Sequence, residues 1–260
     1  MDLTARFAEL VEGPESELPL DEAALLIAAH AQPDLDIDAE LRALDDLAAG
    51  CPDPSLDGWR QYLFVDLGFT GNVEDYYDPQ NSFLNWVVRR RVGLPISLSV
   101  LGIEIGRRLG LRLNGIGMPG HFLLRHDVEP PVYVDPFAGG RLLDRDGCEE
   151  RFHVVNGAST PFLESYLDPV GPRAILGRML ANLKAIYATR GDLEALAWVF
   201  ALRLSIPGVP AMERRELAQV LGSTGRFQEA AEELEALAEA VPSLSDTLLG
   251  EAVALRARLN

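Results

Sequence analysis

The sequence predicts an α+β chain with three parts: an N-terminal helical layer (residues 1–72), a core in which one apolar helix packs on a small antiparallel sheet (73–170), and C-terminal α-hairpins (171–260). Three observations predict this. Apolar residues recur at three- and four-residue spacing through the first segment, up to about Gly68. Three short stretches, LNGIG, HFLLRH and VYVDPF, carry β-branched or alternating apolar residues between Gly and Pro stops. Two similar helical stretches have Gly191 and Gly225 at corresponding points, 34 residues apart.

The elements follow in order. PLDEAALLIAAHAQ reads as a helix with Asp21 as N-cap, and Pro33 separates it from DIDAELRALDDLAAG. In that second helix Ile37, Leu41, Leu44 and Leu47 form a stripe, and Gly50 closes it. GWRQYLFVDLGF is helical and stops at Gly68. TGNVEDYYDPQNS is a loop, punctuated by Gly, Asn, Asp and Pro. SFLNWVVRRRVG is a helix with Ser82 as candidate cap.

ISLSVLGIEIGRRLG is the apolar helix of the core. It begins near Pro95, whose missing N–H costs nothing in a first turn, and ends at Gly110. HFLLRH and VYVDPF form an antiparallel pair, and a turn centred on Val128 sets His121 opposite Asp135. In the C-terminal part, Leu193 matches Phe227 and Pro207 matches Pro242 within one residue. A 34-residue period is that of tetratricopeptide hairpins, and SLSDTLLGEAVALRARLN supplies a closing helix over the last apolar face.

Charge and composition exclude several classes. With a net charge of -17, the chain lacks the clustered cations that phosphate backbones demand. Its dense basic runs, Arg89-Arg90-Arg91 and Arg107-Arg108, fall at predicted helix ends, where cations oppose the dipole. No apolar run reaches the roughly 18 residues of a membrane span, and the acidic start does not read as a signal peptide. Cys51 and Cys148 lie far apart, which fits a reduced, cytoplasmic chain. His30, His126 and His153 show no ligand-like spacing, so neither a metal site nor a cofactor site is expected, and His126 is expected to be solvated near the hairpin turn. Gly115, Gly117 and Gly120 lead into a strand rather than a helix, unlike a dinucleotide loop.

His121 and Asp135 form the pair with chemical potential. A carboxylate beside an imidazole fixes its tautomer and stabilises its charged form. A Cys or Ser at the start of the neighbouring helix would complete a nucleophile–base–orienter triad. The stretch DLGFTGNVEDYYDPQNSFLNWVVRRRVGLPISLSVLGIEIGRRLGLRLNGIGMPGHFLLR, followed by VDPFAGGRLL, resembles the SirB family of the transglutaminase-like superfamily. The resemblance covers about residues 20–240, with GLPISLSV, PGHFLLR and VDPF its most specific parts. It implies a papain-like core followed by tetratricopeptide-like helices. It also implies a Cys opening the core helix, a His on one strand and an Asp on the next. His121 and Asp135 take the last two roles, but Pro95 follows Gly93-Leu94 where the cysteine is expected. The nearest hydroxyls are those of Ser97 and Ser99. Cys51 and Cys148 sit in acidic surroundings that oppose thiolate formation.

Three readings follow. In the first, the chain is a non-catalytic pseudoenzyme whose cleft and repeats bind a peptide or protein partner, a basic one given the acidic surface. In the second, Ser97, His121 and Asp135 hydrolyse or transfer acyl groups from amides or esters. In the third, His121 and Asp135 merely satisfy each other inside the sheet. Tyr76, Tyr77, Asn85 and Trp86, with Pro95, either line the cleft or pack in the core. The sequence leaves oligomeric state open.

Overall fold

The structure is a computed structural model that describes residues 2–259. They group into two compact units: Glu17–Met179, and the residues up to Ser16 together with those from Leu180 onward.

The chain opens with α1 (Leu3–Glu12), whose first N–H groups are met by the Asp2 carboxylate. In the Glu17–Met179 unit, α2 (Leu20–Ala31) is followed by α3 (Ile37–Ala49), capped by Asp36 and ending at Gly50. Asp21 is not the cap of α2. Pro19 holds that position, and the Asp21 carboxylate is drawn instead to Arg107 and Arg108. α4 (Leu56–Arg60) continues as a π-helical turn over Gln61–Asp66. The short strand β1 (Thr70–Gly71) leads to a 3₁₀ turn at Pro79–Ser82, capped by Asp78. α5 (Leu84–Arg90) therefore begins two residues after Ser82, with Phe83 at its cap, and the Ser82 hydroxyl is buried without a hydrogen-bond partner among the described residues.

β2 (Val92–Gly93) pairs in parallel with β1 and runs directly into α6 (Pro95–Arg108). Gly102 and Gly106 let this helix lie close on the sheet. A Cβ at either would come within 2.7 Å of the Leu124 or Leu113 side chain. The N-terminal layer packs on the other side: α2 lies against α5 and α6, and α3 against α6. Both basic runs do end helices. Arg89 and Arg90 close α5, Arg107 and Arg108 close α6, and they pair with Glu40, Asp78, Asp21, Glu104 and Asp45.

The sheet is antiparallel throughout, built from β3 (Leu113–Ile116), β4 (Leu123–His126), β5 (Val132–Asp135), β6 (Arg141–Leu143) and β7 (Pro169–Val170) in the order β6-β5-β4-β3-β7. Leu124 faces Val134 and His126 faces Val132, so the β4–β5 ladder is centred on residue 129 rather than 128. His121 thus lies just before the strand and Asp135 is carried two positions past it. That even-numbered shift keeps both side chains on one face. His126 ends β4 half-buried with its Nδ1 sealed from solvent. On that face α7 (Arg145–Asn156), capped by Asp144, sets Cys148 and Phe152 into a cluster with Ile116, Met118, Leu123, Tyr133 and Leu167.

α8 (Pro172–Arg190) contains the division between the units. Beyond it come α9 (Leu193–Ser205), α10 (Glu213–Ser223), α11 (Phe227–Ala240) and α12 (Ser245–Arg256). Each packs on the next, and α1 packs on α9. Gly191 and Gly225 adopt positive φ of 67° and 82°, where a Cβ would be strained. Their turns close alike: Asp192 N donates to Tyr187 O at 3.0 Å, and Arg226 N to Leu221 O at 2.9 Å. No helix among the described residues is long and apolar enough to cross a membrane.

Candidate functional site

β1 and β2 bring the start of α6 close to the corner that follows β5. Gly71 N donates to Phe137 O at 3.0 Å, and a Cβ on Gly71 would fall 2.3 Å from the Phe137 ring, so only glycine allows that ring to lie there. His121 also meets Phe137, edge-on, with centroids 6.1 Å apart.

His121 and Asp135 are brought together. Nε2 lies 3.0 Å from Asp135 Oδ2, and both residues are buried. The approach is a close polar contact rather than a straight hydrogen bond, because the N–H direction misses the oxygen and Nε2 is left sealed without a directed partner. Asp135 is held by two further groups. Ala138 N donates to Oδ1 at 3.1 Å, Arg151 donates to Oδ2 through Nε at 2.8 Å, and Arg151 Nη2 lies 2.8 Å from the same oxygen. Burial pushes the Asp135 pKa up, but His121 and Arg151 outweigh it and hold the carboxyl below its ordinary value.

Ser97 has different partners. It is fully buried, its Oγ donates to Asn81 O at 2.5 Å, and the same oxygen accepts from Leu94 N at 3.0 Å. Ser99 is also buried and donates to Pro95 O at 2.8 Å. Pro95 supplies the first residue of the helix and no nucleophile. Asn81 is a junction. Its carbonyl takes Ser97, while its amide donates to Asp75 O and Tyr76 O and accepts from Asn72. The first turn of α6 therefore fixes the loop that carries Tyr76 and Tyr77.

Those two tyrosines meet edge-on at 5.3 Å, and Tyr76 meets Phe137 at 6.0 Å. Tyr77 is largely exposed, so Tyr77, Tyr76, Phe137 and His121 form an aromatic ledge running from solvent to the buried pair. Burial raises the Tyr76 pKa, with Tyr77 adding to the rise and Arg178 opposing it. Asn85 and Trp86 have other contacts. Asn85 exchanges amide bonds with Gln32 between α5 and α2, and Arg89 stacks on Trp86 at 5.7 Å.

Two charged residues at the site had no part in the sequence expectations. Arg151 comes from α7, whose polar sequence offers only Cys148 and Phe152 as buried residues. Its signal was Asp144 as cap with Cys148 and Phe152 four residues apart. Arg178 comes from α8. Its Nη2 donates to Met118 O and His121 O, both at 2.8 Å, and its guanidinium lies over Phe122. No local pattern announces it. Burial lowers its pKa, the one arginine among the described residues shifted that way. Neither cysteine supplies a nucleophile to the pair. Burial pushes the Cys148 thiol up to about 12, helped by Asp144 and Asp135, and Cys51 Sγ lies 3.2 Å from Asp53 O.

Comparison with known proteins is consistent with this geometry. The family model described as "Transglutaminase-like superfamily" matches residues 22–181. A UPF0162 protein of Xylella fastidiosa is 41% identical over 222 residues, 78% of each chain. A UPF0162 protein of Vibrio cholerae is 33% identical over 131 residues, covering 50% of this chain and 48% of its own. Human F-box only protein 21 is 33% identical over 145 residues, 52% of this chain but 22% of that protein. No solved structure gives a significant match. With a helix on an antiparallel sheet, a His–Asp pair at its edge and a family match over most of that unit, the chain belongs to the transglutaminase-like superfamily and is a homologue of the UPF0162 proteins.

Proposed function

We propose that this protein is a non-catalytic, SirB-like member of its superfamily, a binding or scaffold protein that receives a peptide or protein segment beside His121 and Asp135. One observation carries the reading. The start of α6 offers Pro95 in place of a nucleophile, and the nearest hydroxyl, Ser97, gives its proton to Asn81 O inside the protein. The C-terminal helices, read as tetratricopeptide-like from their repeated turns, add a second partner surface. A groove of about 580 Å³ there is lined by residues that include Ala218, Leu234 and Leu255. The net charge of -17 favours a partner that is basic overall, and two unpaired thiols suit the cytoplasm.

The test is affinity capture with wild type and with Tyr76→Ala, followed by hydrolysis and acyl-transfer assays on glutamine-bearing peptides and simple esters. The reading expects a partner held by wild type and released by the variant, and no turnover by either. The His121–Asp135 contact favours a second reading, in which Ser97 attacks an amide or ester, His121 acts as base and Asp135 orients it. That reading requires Ser97 to leave Asn81 and Leu94. Turnover abolished by both Ser97→Ala and His121→Gln would establish it and remove the first.

A further inference from the structure

In a chain with 40 acidic and 23 basic residues, most half-buried arginines lie against a carboxylate. Arg108 has Asp21 and Glu104, Arg151 has Asp135, and Arg203 has Glu213. Arg178 has none among the described residues. Its hydrogen bonds are the two from Nη2 to Met118 O and His121 O, so Nε and Nη1 remain uncommitted, and Nη1 lies near Gly117 and the Val170 side chain. A guanidinium taken partly out of water without a counter-charge is costly, and burial shifts Arg178 towards its neutral form. An anion supplied from outside would remove that cost.

The surroundings narrow the choice of anion. Arg178 is tied through backbone hydrogen bonds to His121, whose Nδ1 has no hydrogen-bond partner among the described residues and whose Nε2 is sealed without a directed one. Tyr76 feels the Arg178 charge and sits on the ledge that leads to His121. With both Nη2 hydrogens given to carbonyls, Nε and Nη1 remain as separate charge-assisted donors, enough for the oxygens of one small anionic group such as a carboxylate. A strongly acidic chain disfavours ligands with many negative charges, so a single carboxylate on an otherwise neutral or basic segment fits best. A chain terminus supplies that without an acidic residue.

Building on the binding reading above, we propose that Arg178, with His121 beside it, captures the C-terminal carboxylate of a peptide, and that the Tyr76–Phe137 ledge takes the apolar side chain of its last residue. The three-residue stretch Met118–Gly120 and the first half of α8 form the subsite, all within the Glu17–Met179 unit.

The experiment titrates the full chain by ligand-observed NMR with three synthetic probes: N-acetyl-Lys-Phe as free acid, the same peptide as its C-terminal amide, and N-acetyl-Glu-Phe amide. The acid is expected to bind in the millimolar range or tighter, with both amides weaker by about tenfold or more. Arg178→Gln is expected to erase the preference for the acid. Arg178→Lys keeps the charge without the guanidinium's several fixed donors and is expected to retain part of it, which guards against a folding defect in the glutamine variant, with thermal melts reported for both. Acid and plain amide binding alike, with Tyr76→Ala weakening both, would overturn the carboxylate subsite and leave the binding reading standing. Equal binding of the glutamate amide and the acid would overturn the assignment to a chain terminus. Retention of the acid preference in Arg178→Gln would overturn the role of Arg178. Absence of binding by all three probes up to about 20 mM would remove the cleft as a peptide site altogether.

Discussion

Ser97 shows how a residue with catalytic chemistry in its side chain can be fully employed by structure. Its hydroxyl satisfies one buried acceptor, Asn81 O, and one buried donor, Leu94 N. Ser97→Ala removes both bonds and leaves the two groups only their longer direct contact, Leu94 N to Asn81 O at 3.3 Å, and the expected loss is about 1 kcal/mol, read as a lower denaturation midpoint with an unchanged slope. Glu104 is a second residue whose setting decides its behaviour. Burial, then the Asp21 charge, push its pKa up to about 7, against the opposing pull of Arg107. A carboxyl with a raised folded pKa contributes stability that is full below its unfolded value near 4.5 and is lost as pH rises through about 7. Stability of Glu104→Gln relative to wild type should therefore climb between pH 5 and pH 8, measured by melting in parallel buffers. His121 and Asp135 were legible in the sequence because PGHFLLR and VDPF place them at the edge of one hairpin, and an even register shift spares that conclusion. Arg151 and Arg178 were not, since they reach the site from 16 and 57 residues along the chain, distances at which sequence carries no spacing rule.

Among the elements, the long apolar helices announced themselves. α3 has a buried stripe, α2 and α6 are buried on nearly every side, and their stop signals fall within a residue or two of those read from the chain. α7 did not, because Glu, Asp and Arg dominate it and two buried side chains make a weak stripe. β6 and β7 are three and two residues long, too short for alternation to register. β1 and β2 are equally short, yet they hold the site's geometry through Gly71. Gly71→Ala puts a methyl group into the rigid Phe137 ring, which must move as a body. The expected result is a destabilisation of about 1–3 kcal/mol together with a displaced His121, seen as altered imidazole proton shifts in NMR spectra.

For the molecule as a whole, sequence separated helical ends from a mixed middle, and the structure groups the pieces by contact instead of by order. α1 joins the C-terminal helices, an association between distant segments that no local pattern encodes. α12 buries Leu248 and Ala252 and packs on α11. A chain ending after Pro242 exposes the apolar side of α11, including Leu234 and Leu237, and should bind a hydrophobic dye and melt at lower temperature than the full chain. The matching turns at Gly191 and Gly225 have one more consequence. Each joint is closed by the same backbone bond at the same offset, so the repeat reading predicts that the segment between them behaves as a cassette. Duplicating it is then expected to lengthen this end of the protein and still give a cooperative melt, with both splices falling on exposed glycines that already have the required bend.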